Sequence, residues 1–153
     1  MRDQDFSLTL TLDAAPEAVF DAIVDVHAWW SGHIEGRADA IGATFRYRYR
    51  DMHDSTQRVT ELDRGRRVVW RVLDAHLAFV EAPREWVGSD IVFALSASGG
   101  GTTLTFTHVG LAPTCACYAA CASGWDALLR GNLRRRVTTG AAQPDVFARG
   151  GPA

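Results

Sequence analysis

The sequence predicts an α+β fold in which a curved antiparallel sheet wraps around one long carboxy-terminal helix. Three observations carry that expectation. Segments of period-two alternation follow one another with short turns between them. Helical segments are segregated from this run rather than interleaved with it, which favours an antiparallel over a parallel sheet. The stretch from Pro113 to Thr139 has helical periodicity and a broad apolar face that something large must cover.

Taken in order, Phe6, Leu8, Leu10 and Leu12 alternate with Ser7, Thr9 and Thr11, as in a half-buried strand. Pro16 and Glu17 then suit the first turn of a helix whose apolar stripe is Val19, Phe20, Ile23 and Val24. A second helical turn spans Val26 to Trp30. The adjacent Trp29 and Trp30 are not expected to share one core, which places one of them at a surface or a pocket mouth. From Thr44, the residues Phe45, Tyr47 and Tyr49 alternate with Arg46, Arg48 and Arg50, so one face is aromatic and the other cationic. Met52 to Leu62 reads as a strand with Val59 inward. Arg64-Gly65 marks a turn, and Val68, Trp70 and Val72 continue the sheet. An irregular strand is expected around Leu77 to Val80, broken at Pro83. Trp86 to Ser96 and Thr102 to Val109 form the last hairpin, with Phe93, Phe106 and His108 inward.

The final helix is expected from Pro113, in a first turn that tolerates proline, to a left-handed cap at Gly140. Tyr118, Cys121, Trp125, Leu128, Leu129 and Leu133 share its apolar face. Asp126, Arg130 and Arg134 fall opposite at four-residue spacing. Some 26 residues in this form would run about 39 Å, most of a small domain's width. Residues 1–140 are therefore read as a single domain and 141–153 as a loose, aperiodic tail.

Bulk composition narrows the function classes. A 153-residue chain with 47% hydrophobic and 22% charged residues can bury a sizeable core. A net charge of −2 gives no basic field for nucleic acid or an anionic membrane, and neither is expected as a partner. All 16 basic residues are arginine, which is read as coding bias. No apolar run reaches transmembrane length and no signal pattern opens the chain, so a soluble cytoplasmic protein is expected. Three cysteines within one short stretch do not make a disulfide framework.

At this point the chain resembles the START-like (SRPBCC) helix-grip superfamily, which includes START lipid-transfer domains, polyketide cyclases and the birch-pollen allergen. Within it, the chain is most similar to the branch named for homology to the activator of Hsp90 ATPase. The matching residues are Leu12-Asp13-Ala14-Ala15-Pro16-Glu17-Ala18-Val19-Phe20, Trp29-Trp30, Gly42 before the Phe45 strand, Val59-Thr60-Glu61-Leu62 and Val69-Trp70. They continue through Gly101 to Leu111 and end with Tyr118, Gly124-Trp125 and Leu128, so the resemblance covers about residues 6 to 140. It implies the helix-grip fold and leaves the activity open, because one scaffold carries many functions.

The candidate ligand-binding residues are Trp30, Phe45, Tyr47, Tyr49, Trp70, Phe93, Phe106, His108, Tyr118 and Trp125. Large inward aromatic side chains face a helix segment, Ala116 to Gly124, made mostly of small residues, and small opposite large need not close the gap. Tyrosine hydroxyls at Tyr47, Tyr49 and Tyr118 need partners that a ligand or water could supply. The plainer alternative for each aromatic is ordinary core packing. His108 is either a hydrogen-bonded core histidine or the polar anchor of a ligand. Cys115, Cys117 and Cys121 lack the second half of a zinc site and read as small buried residues. Asp51, His53 and Asp54 form a polar cluster that could carry acid–base chemistry or bind a metal ion, but they sit at an expected turn, where such residues are favoured for backbone reasons alone. No metal or cofactor is assigned.

Three function classes result. The leading one is a binding protein holding an apolar or amphipathic small molecule between sheet and final helix. The second is a cyclase- or hydrolase-type enzyme using the same cavity, ranked behind because no nucleophile–base pair or phosphate loop supports it. The third is an interaction module regulating a chaperone ATPase, suggested by the family name. That class is ranked last because a full co-chaperone is expected to carry a further chaperone-binding domain. A homodimer is left open.

Overall fold

Alternating sequences lay down seven strands, and their order decides where the helices can go. The computed structural model describes residues 5–30 and 32–140; the tail expected at 141–153 lies outside the described residues. The strands are β1 (Phe6–Leu12), β2 (His33–Gly36), β3 (Thr44–Tyr49), β4 (His53–Asp63), β5 (Arg67–Leu77), β6 (Asp90–Ser98) and β7 (Gly101–Val109). They form one antiparallel sheet in the order β1-β7-β6-β5-β4-β3-β2. Only β1 leaves sequence order, pairing with β7 so that Leu8 lies opposite Phe106. Helices α1 (Pro16–Val24) and α2 (Val26–Trp29) bridge between β1 and the far edge strand β2. This is the expected helix-grip α+β architecture.

Strand β3 shows how pattern becomes packing. Phe45, Tyr47 and Tyr49 are buried on the inner face. Outside, Arg46 grips Asp54 with two bonds of 2.9 and 2.6 Å, and Arg48 reaches Glu35 at 3.0 Å. Such exposed pairs contribute little to stability, and the buried aromatics dominate. Register shifts in β4 at Thr56/Gln57 and Val59/Glu61 bend the β4–β5 ribbon, as bulges do.

The structure departs from the sequence reading at four places. Strand β2 has a single inward residue, Ile34, too little alternation to be legible. Gly32 leads into it at φ 109°, where a Cβ would lie 2.6 Å from the Arg48 carbonyl oxygen. Strand β5 runs straight through to Leu77, and residues 78–89 form turns rather than a further strand, so Trp86 precedes β6 instead of opening it. Trp29 and Trp30 are both buried and stack at 5.8 Å, because the helix ends between them and Trp30 is extended (φ −82°, ψ 129°).

The fourth departure is the final helix. Residues 112–117 form turns, and the rod begins as α3 (Tyr118–Asp126), widens to a π-helical stretch (Ala127–Leu133) and ends as α4 (Arg134–Thr139). Gly140 caps it in the left-handed conformation at φ 73°, as expected. The π-helical stretch buries Leu128, Leu129 and Leu133 together with Asn132, whose amide donates to the Trp29 carbonyl at 2.9 Å. Among the described residues, no helix is long and apolar enough to cross a membrane.

Candidate functional site

The middle of the interior is solid. Phe45, Trp70, Phe93 and Phe106 are all essentially inaccessible and meet edge to face at 4.9–5.1 Å, the close aromatic geometry of a filled core. These four candidates therefore pack against one another and do not line the open space. A cavity of about 210 Å³ lies instead at one end, between the β3–β4 turn, the 78–89 turns and helix α3. Trp30, Tyr47, Tyr49 and Trp125 do line it, as the sequence suggested.

Two aromatic walls shape this cavity. Trp30 stacks on Tyr47 at 4.5 Å, and Trp86 stacks on Trp125 at 5.9 Å with planes 7° apart. Trp30 and Trp125 meet at 5.5 Å and join the walls. The helix leaves the space open because it presents Ala120, Cys121 and Gly124 there, with Leu128 below. Met52 and Phe79 stand at the rim, both about 37–38% exposed. Exposed large apolar side chains at the mouth of an apolar recess are a feature of binding sites rather than of closed cores.

Trp86, Met52 and Phe79 carry no functional signal in the sequence, and His53 is weighed there only as part of a polar cluster at a turn. Trp86 had been assigned to a strand, and the turns that carry it have no periodicity to read. Glu85 fixes those turns to the helix: its carboxylate accepts from the Ala116 and Cys117 amides at 2.7 and 3.0 Å. Burial pushes the Glu85 carboxyl up, but these two amides together hold it below its usual range. His53 lies within the expected Met52–Leu62 strand as well as in the polar turn cluster, and in the structure it opens β4 opposite Tyr49. The signal was there: His53, Ser55 and Gln57 alternate in step with Val59.

His108 is fully buried and does not line the cavity. Trp125 Nε1–H donates to its Nδ1 at 3.1 Å. The Ser89 hydroxyl donates to the Trp86 carbonyl at 2.6 Å and so is left to accept from His108 Nε2–H at 2.8 Å. Both ring nitrogens are satisfied and the ring is neutral; burial, with a smaller contribution from His53, pushes it down to about 3. Rather than anchoring a ligand, His108 holds Trp125 in the cavity wall. Tyr118 is half-buried and meets Phe6 edge to face at 6.3 Å, away from the cavity, because it begins the helix next to β1.

The cysteines sit in different surroundings. Cys121 faces the cavity, Cys115 donates to the Gly110 carbonyl at 3.4 Å, and Cys117 is buried. A hydrogen bond with Cys121, then burial, pushes the Cys117 thiol up, which makes it a poor nucleophile. His53 is the one acidic or basic side chain lining the cavity among the described residues. Burial lowers it to about 4, against an opposing pull from Asp54, so it too is neutral at physiological pH.

The family model described as activator of Hsp90 ATPase homolog 1-like protein matches residues 13–138. The chain belongs to that family. Solved structures of this family's fold superpose over most of the chain. The Aha1 dimer of Colwellia psychrerythraea is 24% identical with a TM-score of 0.71, covering 89% of this chain and 97% of its own. DynU16, from the dynemicin biosynthetic locus, is 20% identical with a TM-score of 0.66 over 92% of this chain, which spans 49% of DynU16's length. CalU16 of Micromonospora echinospora is 18% identical with a TM-score of 0.61, over 88% of this chain and 76% of its own. At these identities the likeness shows the fold. No curated protein matches the chain. For this family member, then, function has to be argued from the cavity.

Proposed function

We propose that the protein is a cytoplasmic carrier or sensor that binds an apolar or amphipathic small molecule in the cavity between the β3–β4 end of the sheet and helix α3. The observation that carries this reading is an open, aromatic-walled space of about 210 Å³ whose lining, among the described residues, is mainly apolar and holds a single basic side chain, His53. For scale, an engineered 150 Å³ apolar cavity takes up benzene, so this one suits a ligand of about ten non-hydrogen atoms. Most small-molecule sites share this character of apolar walls with few polar points. Catalysis is not part of the proposal, since both ring nitrogens of His108 are occupied and the Cys117 thiol, pushed up by its hydrogen bond with Cys121 and by burial, is a poor nucleophile.

Native mass spectrometry on protein purified gently from its own host tests the reading. A retained molecule of small mass, lost on denaturation, supports it. Unliganded protein that also fails to take up apolar fluorescent probes refutes it. A second reading has its own observation, the family match and an Aha1 dimer of similar fold. In that reading the domain regulates a chaperone ATPase, as a monomer or homodimer, and stimulated ATP hydrolysis by a purified chaperone would distinguish it.

A further inference from the structure

Strand β4 spends three inward positions on polar residues where its neighbours are aromatic: His53, Ser55 and Gln57 lie opposite Tyr49, Tyr47 and Phe45. Ser55 and Gln57 are almost completely buried. A purely structural core would favour apolar residues here, because each buried hydroxyl or amide must find a partner. The three find one another. Gln57 Nε2 donates to Ser55 Oγ at 2.5 Å, and Ser55 Oγ lies 2.8 Å from His53 Nε2. This amide orientation leaves the Gln57 carbonyl oxygen and one amide proton without a partner; the reverse would instead strand both amide protons, and a buried N–H is left unpaired more rarely than a buried carbonyl. Having accepted from Gln57, the Ser55 hydroxyl has its own proton to give, and His53 Nε2 is the acceptor within reach. The neutral imidazole must then carry its proton on Nδ1. Nδ1 makes no hydrogen bond to any described residue and belongs to a ring that lines the cavity.

We propose that His53 sets the specificity of the cavity by offering an Nδ1–H donor to a neutral, flat, apolar ligand carrying a hydrogen-bond acceptor such as a ketone, ester or ether oxygen. This inference rests on the binding role proposed above and names the ligand class. The relay from Gln57 through Ser55 holds the tautomer, so Ser55 and Gln57 are positioning residues. An anionic ligand is disfavoured because burial keeps the ring uncharged and, among the described residues, no guanidinium lines the space to compensate a buried charge.

Two measurements test it. Nitrogen-15 NMR of histidine-labelled protein at neutral pH locates the His53 ring proton without any ligand. Titration calorimetry then compares 1-indanone with indane, which differ by the carbonyl and have the size the cavity suits. The expected results are a proton on Nδ1 and about fivefold tighter binding of 1-indanone, the worth of one neutral hydrogen bond. Read as the ratio of the two affinities within each variant, that preference should vanish in His53→Leu and fall in Ser55→Ala. A proton on Nε2, or equal affinities in the unaltered protein, overturns the proposal and leaves the binding role standing. Failure of both probes to bind overturns the two together.

Discussion

Two histidines on the inner face of one sheet do different work, and their hydrogen bonds decide which. His108 has both nitrogens occupied and spends them on Ser89 and the Trp125 indole. His53 spends one nitrogen on Ser55, and its ring lines the cavity. Both are held neutral, and this has a consequence for stability. Burial depresses the His108 pKa to about 3, while in the unfolded chain it lies near 6.5. The unfolded state therefore takes up a proton first as pH falls. The stabilisation is fully present above about pH 6.5 and is lost below it at about 1.4 kcal/mol per pH unit, until the folded ring itself titrates. His53 contributes in the same direction down to about 4. Urea denaturation at pH 7 and pH 5 should show a loss of about 2 kcal/mol from His108 alone. His108→Gln should be less stable at pH 7 yet less sensitive to acid; a variant as acid-sensitive as the parent would contradict this. Sequence alternation placed His108 inward but could not distinguish a bonded core histidine from an anchor, since that difference lies in partners on β6 and the final helix.

At the scale of elements, the final helix decides whether the protein has a cavity. Its first two turns offer Ala120, Cys121 and Gly124 to the aromatic walls, and its π-helical middle buries Leu129 and Leu133 in the core. The contrast of small and large residues along one helix was legible from the sequence alone. The π-helical widening was not, because a straight 100° projection cannot register an added residue per turn. Nor was the role of the 78–89 turns, which supply Trp86 and Phe79 and are fixed by Glu85 to the amides before α3. Gly124→Leu tests the role of the small residues. Leucine raises helix propensity by up to about 1 kcal/mol, so melting temperature should hold or rise. The side chain should occupy the cavity and weaken indane binding by at least about tenfold, a cost of roughly 1.4 kcal/mol. Undiminished binding by a folded variant would mean the probe sits elsewhere.

For the whole molecule, sheet order and register follow from period-two patterns that a reader of the sequence can trace, because each inward residue has an inward partner across the strand. The helix-grip architecture was therefore legible, apart from the four-residue edge strand β2, the turns at 78–89 and the late start and π-helical middle of the final helix. The site was legible in part. Aromatic residues were correctly read as facing the helix, but which of them close on one another depends on distances no single sequence reports. Phe45, Trp70, Phe93 and Phe106 fill the centre, whereas Trp30, Tyr47, Tyr49 and Trp125 stop short of closing at the end.

The central claim, a small-molecule site at that end, is tested most directly by titrating 1-indanone into nitrogen-15-labelled protein and following the tryptophan indole N–H signals. Saturable shifts that are largest for Trp30, Trp86 and Trp125 are the expected result. Signals that stay in place, or move alike for all five tryptophans without saturating, would contradict it.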